Sequence, residues 1–190
     1  MSGVVAGPDG RKRCPWGLSA PDYVSYHDTE WGRTVHGDDR LYERLTLEAF
    51  QSGLSWLTIL RKRENFRAAF ANFSIPAVAG FSEADVDRLL ADPGIVRNRA
   101  KVLAALQNAR AAAALGPDGL DELLWSFAPP PRTRRVASLA EIPAVTPEST
   151  AMAKALKKRG FAFVGPTTAY ALMQATGMVD DHLAGCQTAP

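Results

Sequence analysis

Two cysteines in 190 residues are too few for a disulfide framework, and a chain of this length has enough apolar material to fold without one. Long hydrophobic runs are missing as well. No stretch approaches the ~18 consecutive apolar residues of a membrane span, so no membrane partner is expected. The first residues lack the apolar core of a secretory leader, and an intracellular, reducing, cytoplasmic setting is the expectation. Charge of one sign is scarce: 22 Lys and Arg against 20 Asp and Glu leave a net charge of +2, which neither demands nor excludes nucleic acid. Repeats, low-complexity tracts and convincing strand alternation are also absent, which leaves a mainly α chain.

What is present fits one compact domain: 46% of residues are hydrophobic and 22% charged. Residues 1–13 are polar and Gly-rich and read as a flexible tail, with a second tail at 187–190. The basic residues cluster in Arg61-Lys62-Arg63, Arg97 to Lys101, Arg132 to Arg135 and Lys157-Lys158-Arg159. Such clusters build either a phosphate-facing surface or solvated helix faces, and composition does not choose between them.

Helical periodicity dominates from Asp38 onward. Leu41, Leu45 and Ala49 recur at helical steps behind the first-turn acids Asp38 and Asp39. Gly53 interrupts, and Ser55 caps a second helix carrying Trp56, Ile59, Leu60, Phe66 and Phe70. A third helix starts at Ser82, turns Val86, Leu89 and Leu90 inward, and stops at Asp92-Pro93-Gly94. There Pro93 disfavours helix at the residue before it, and Gly94 tolerates positive φ. A fourth helix puts Val102, Leu106 and Ala109 on one face. Leu120 to Phe127, Thr146 to Arg159 and Thr167 to Thr176 read as further helices, with a Pro- and Arg-rich loop over Ala128 to Arg135.

Two groups of residues carry chemistry. Cys14 and Cys186 stand far apart in sequence, each near a histidine, His27 and His182. Because His182 precedes Cys186 by four residues, one helical turn would bring both to one face. Two thiolates and two imidazoles are a preferred tetrahedral Zn²⁺ set, and four protein ligands leave no open position, so such a zinc is structural. The same residues read equally as inert core cysteines or as a disulfide. The second group centres on Glu48, which helical spacing from Leu41 and Leu45 places on or beside an apolar face. A carboxylate there is costly unless paired, either by a neighbouring Arg or by a ligand. Trp16, Tyr26, Trp31 and Trp56 surround it in sequence, and aromatic faces beside a carboxylate suit a flat cation; tryptophans in helical proteins are also ordinary core residues.

A resemblance gathers these pieces. Cys14-Pro15-Trp16, Tyr26-His27-Asp28-Thr29-Glu30-Trp31-Gly32, Leu47-Glu48 with Gln51-Ser52-Gly53-Leu54-Ser55-Trp56, and Lys62-Arg63-Glu64-Asn65-Phe66 resemble the bacterial 3-methyladenine DNA glycosylase I family. So do Gly94 to Lys101, Trp125-Ser126-Phe127, Lys154 to Phe161, Phe163-Val164-Gly165, Tyr170, Met173-Gln174-Ala175 and Asp181-His182 with Cys186. The resemblance implies a helix-hairpin-helix DNA glycosylase fold, with the hairpin at Pro93 to Lys101 and a subdomain stapled by one structural Zn²⁺ on Cys14, His27, His182 and Cys186. It implies one domain over 14–186, its helix-hairpin-helix part about 38–116 and its zinc-linked part 14–37 with 117–186. Glu48 would bond the methylated adenine, with Tyr26 and Trp56 stacking on it and Trp16 completing the wall. The partner would be double-stranded alkylated DNA, the chain a monomer, and the reaction hydrolysis of the N-glycosidic bond of 3-methyladenine. Hairpin amides near Gly94, with Arg97, Arg99 and Lys101, are the expected contacts to the DNA backbone. A non-catalytic DNA binder and a zinc hydrolase acting on a small molecule are the rival readings.

Overall fold

The computed structural model describes residues 3–188. It opens on a short antiparallel ribbon, β1 (Val5–Ala6) with β2 (Lys12–Arg13), in which Val5 faces Arg13. Helix α1 (Pro21–Thr29) follows a single 3-10 turn over Pro15–Leu18. Then come α2 (Asp38–Gln51), α3 (Trp56–Ala69), α4 (Ile75–Ala79), α5 (Glu83–Ala91), α6 (Arg99–Ala113), α7 (Gly119–Trp125), α8 (Pro147–Lys158) and α9 (Pro166–Ala175).

Local chemistry sets most of these boundaries. Ser55 accepts from the Thr58 amide at the start of α3, and Asn98 accepts from the Lys101 amide at the start of α6. Ser82 with Asp85, and Thr146 with Ser149, form reciprocal caps on α5 and α8. Helix α1 lacked a legible stripe because its buried residues, Tyr26 and His27, are adjacent in sequence and not spaced by a turn.

Helix α2 runs through the centre, and α3, α6, α7 and α9 pack around it. Its Leu41, Tyr42, Leu45, Leu47 and Phe50 are fully buried. Phe50 meets Phe66 edge to face at 4.8 Å, and Phe66, Phe70 and Phe73 stack in series, the last pair 5.6 Å apart. Truncating one such ring to alanine costs about 3–5 kcal/mol. One main core extends from Val35 to Val179, so residues on both sides of the expected boundaries at 37 and 116 share it. A small second core joins Cys14, Val136, Leu183 and Cys186.

The chain ends correct the expectation of loose tails. Arg13 is buried, its guanidinium 2.6 Å from Asp9 and 2.8 Å from Asp28. The Gln187 amide donates to the Lys12 carbonyl at 2.9 Å, and the Lys12 amide donates to the Gln187 side chain at 2.6 Å. A polar segment can be ordered when its charges find opposite charges, which composition cannot show. The remainder of those tails, residues 1–2 and 189–190, lies outside the described residues.

Candidate active site and metal centre

Helix α1 places Tyr26 and His27 side by side, and the two rings serve two adjoining sites. Tyr26 faces a cleft of about 460 Å³ whose walls are Trp16, Tyr23, Tyr26, Trp31 and Trp56. Glu48, Gln51 and Gln174 supply the polar part of the lining. Trp16 and Trp31 meet edge to face at 4.9 Å, and Tyr26 lies 5.5 Å from Trp56, so the rings brace one another. The four residues expected to hold a base, Glu48, Tyr26, Trp56 and Trp16, thus line one space.

Glu48 sits in the last turns of α2, is only 6% exposed, and accepts no hydrogen bond from a described residue. Burial pushes its pKa up to about 8, and the charge of nearby Arg44 only partly opposes that shift. Arg44 is one turn before Glu48 on the same helix, yet its guanidinium goes elsewhere, to Glu30 at 3.2 Å. Arg63 clamps the same Glu30 through both carboxylate oxygens, at 2.5 and 2.9 Å. Arg44 Nη1 is left buried without a partner. The simple structural pairing open to Glu48 is therefore not made, and the carboxylate is left facing the aromatic cleft. Sequence reading missed the roles of Glu30, Arg44 and Arg63; the traces were Glu30 in the Tyr26-to-Gly32 motif and Arg63 in the Lys62-to-Phe66 motif.

Behind the cleft, Cys14, His27 and Cys186 bring their ligand atoms within 4.8 Å of one another, all buried. The two free thiols influence each other: the proximity of Cys14 draws the Cys186 pKa down while Cys186 and burial push that of Cys14 up. His27 directs Nε2 at Cys186 Sγ, 3.7 Å away, while its Nδ1 meets Asp28 at 2.9 Å. His182 is not in that tight group. Its Nδ1 bonds Asp180 at 2.9 Å, and its Nε2 is buried with no partner. Its ring centroid is 5.2 Å from that of His27. Both imidazoles thus have Nδ1 anchored on a carboxylate, the outer-shell pattern that orients a metal-binding Nε2. Two thiols and an imidazole grouped this closely, with a second imidazole nearby whose Nε2 has no partner, are the donor types that Zn²⁺ prefers. The pairing of His182 with Cys186 does not come from a helix: residues 180–188 form irregular turns, with Gly185 at φ +85°. Close packing enforces the arrangement, since a Cβ on Gly32 would lie 2.7 Å from His182 Cε1. Trp31 stacks on His27 and abuts His182 at 4.8 Å, so the cysteine–histidine cluster lies behind the Trp31 wall of the cleft.

Helices α5 and α6 are joined by a tight loop over 92–98. Lys62 donates to the carbonyls of Pro93 and Gly94 at 3.0 and 3.2 Å, fixing the loop against α3. Gly94 is needed for room and not for positive φ: a Cβ there would lie 2.9 Å from Asp92 Oδ1 and 3.1 Å from Asn65 Cβ. Its own amide is occupied by Asp92 at 2.7 Å, whereas the amides of Ile95, Val96 and Arg97 donate to no described residue. Arg97 is exposed, and Arg99 is exposed but paired with Glu83. Lys101 departs from expectation. It is 8% exposed, and its ammonium donates to the carbonyls of Phe50 and Ser52 at 2.8 and 2.5 Å. Those are orphan carbonyls at the C-terminus of α2, so the Lys101 ammonium caps that helix.

The helical scaffold thus presents mutually braced aromatic rings and one unpaired carboxylate to a space large enough for a purine. A family model described as methyladenine glycosylase matches residues 16–189, and the chain belongs to that family. It is 46% identical over 178 residues to DNA-3-methyladenine glycosylase 1 of Escherichia coli K12, covering 92% of this chain and 95% of that one. It is 43% identical over 177 residues to DNA-3-methyladenine glycosylase of Haemophilus influenzae, covering 92% and 96%. Among solved structures, a 3-methyladenine DNA glycosylase I superposes with a TM-score of 0.88 at 48% identity, covering 94% of this chain and 100% of that chain. A variant of such an enzyme in complex with 3-methyladenine superposes with a TM-score of 0.86 at 34% identity, covering 94% and 97%.

Proposed function

We propose that this protein hydrolyses the N-glycosidic bond of 3-methyladenine in alkylated double-stranded DNA, acting as a monomer in the cytoplasm on a base flipped into the aromatic cleft. The observation that carries this reading is Glu48, a buried carboxyl group that no side chain pairs with, opening on a cleft of flat rings. Methylation at N3 makes adenine cationic, and a cation is what this carboxylate and these ring faces are missing. Tyr26 and Trp56 stack on the base, Trp16 closes the wall, and Glu48 holds the positive charge. The departing base leaves neutral, so no strong general acid is required. Water reaches C1′ as the sugar takes on oxocarbenium character, once the nucleotide has been drawn from the duplex.

The hairpin between α5 and α6 supplies the grip on the strand in this reading, through the free amides of Ile95 to Arg97 and the exposed Arg97. Cys14, His27, His182 and Cys186 hold one Zn²⁺, which when bound neutralises the thiolates and ties the chain ends together. With four protein ligands it has no place in the chemical step. No helix among the described residues is long and apolar enough to cross a membrane. The test is direct: purified protein incubated with methylated DNA should release free 3-methyladenine, identified by chromatography. Release of no alkylpurine by folded, metal-loaded protein would refute the assignment.

A further inference from the structure

Gln174 lines the same cleft as Glu48, from helix α9 packed across α2. Its side-chain amide is not free to choose its orientation. The nitrogen Nε2 lies 2.8 Å from Asp181 Oδ2. Asp181 is buried, receives the Tyr170 hydroxyl at 2.7 Å and pairs with Arg132. With Arg132 paired to it, Asp181 is a carboxylate, and a carboxylate only accepts. The group that Gln174 turns to it must therefore be the NH₂, which leaves the carbonyl Oε1 as the free end. That oxygen receives no hydrogen bond from a described residue. Nothing in the stacking of Tyr26 and Trp56 distinguishes one cationic purine from another, because every base has a ring face. The cleft therefore needs an edge-reading group.

We propose that Gln174 is a specificity-determining residue. Locked by Asp181, it presents Oε1 as a second acceptor beside Glu48, and the pair takes the two N–H groups of a 6-amino purine. The assignment rests on the reading of the cleft as a base site. It adds which edge is read: an adenine-type lesion offers two donors there, whereas a 6-oxo purine such as 3-methylguanine would turn an acceptor towards two acceptors. Arg132 and Tyr170 act one step removed, as positioning residues that hold Asp181 and through it the amide.

Tryptophan fluorescence from the cleft, titrated with free 3-methyladenine, 3-methylguanine and 3-methylpurine (which lacks the 6-amino group), tests this. Wild type should bind 3-methyladenine about 10- to 100-fold more tightly than either analogue. Gln174→Met keeps the length of the side chain and removes the acceptor, so it should shrink that preference about tenfold with little effect on 3-methylpurine. Asp181→Asn, which lets the amide turn over, should shift the ratio towards 3-methylguanine and serves if Gln174→Met does not fold. Equal weakening of all three ligands in the folded variants would overturn the role of Gln174 while leaving the base site standing. A wild type that binds none of them would overturn the base site, and this assignment with it.

Discussion

Replacing Glu48 with glutamine should make the ligand-free protein more resistant to unfolding as pH rises, while removing its grip on the lesion. In the unfolded chain a glutamate titrates near 4.5, whereas in the fold burial lifts Glu48 to about 8. Over that window the folded state retains a proton that the unfolded state releases, so wild-type stability falls as pH climbs from about 4.5 to 8 and levels off above. Between pH 5 and pH 8 the two pKa values correspond to about 3 kcal/mol. For a domain of this size that is a Tm difference of about 6–12 °C. Glu48→Gln has no such proton, so the gap between variant and wild-type melting temperatures should widen by that amount from pH 5 to pH 8. Other groups, including the cysteine–histidine cluster, cancel in the comparison because both proteins carry them. Thermal denaturation of the two proteins across that range is the assay, paired with release of 3-methyladenine from methylated DNA, which should drop sharply in the variant. Parallel melting curves at all pH values would show that Glu48 is solvated or paired after all, and the argument for a carboxylate held ready for a cation would fail.

Glu30→Gln should free Arg44 from its present partner and let it reach Glu48. Excision should fall about tenfold, and the pH-dependent gap just described should nearly vanish when measured in that background; an undiminished gap would place Arg44 outside the control of Glu48. Lys101→Met removes the ammonium that holds the carbonyls of Phe50 and Ser52, at a cost of about 2 kcal/mol. It should slow base release without flattening the salt dependence of DNA binding, whereas a phosphate contact would flatten it. Cys186→Ser should abolish zinc content by metal analysis and lower Tm. It should also slow excision, because Trp31 and Trp16 rest on the histidines of the cluster. A parent protein free of metal, with equal stability in the variant, would end the zinc reading.

The helices from α2 onward, apart from the short α4, were legible because each rule behind them is local. Periodic apolar residues, Ser55, Ser82 and Thr146 as caps, and Pro93 as a stop all act within a few residues. The residues that line the aromatic cleft and the cysteine–histidine cluster were picked out by residue type and motif position. Other features depended on which residue reached which partner through space. Two basic residues of one cluster met different fates: Arg97 stayed exposed, while Lys101, a turn further on, was drawn inward by two unsatisfied carbonyls at the end of α2. The ribbon at the start of the chain is ordered by Asp28 and Gln187, residues that a local window around it never includes. Glu48 is unpaired because Glu30, 18 positions earlier and itself clamped by Arg63, draws Arg44 away from it. Sequence thus specified the parts and their local shape, since propensity and capping are short-range. The protonation of Glu48 was decided by the tertiary structure, since burial and the competition among charges exist only once distant segments meet.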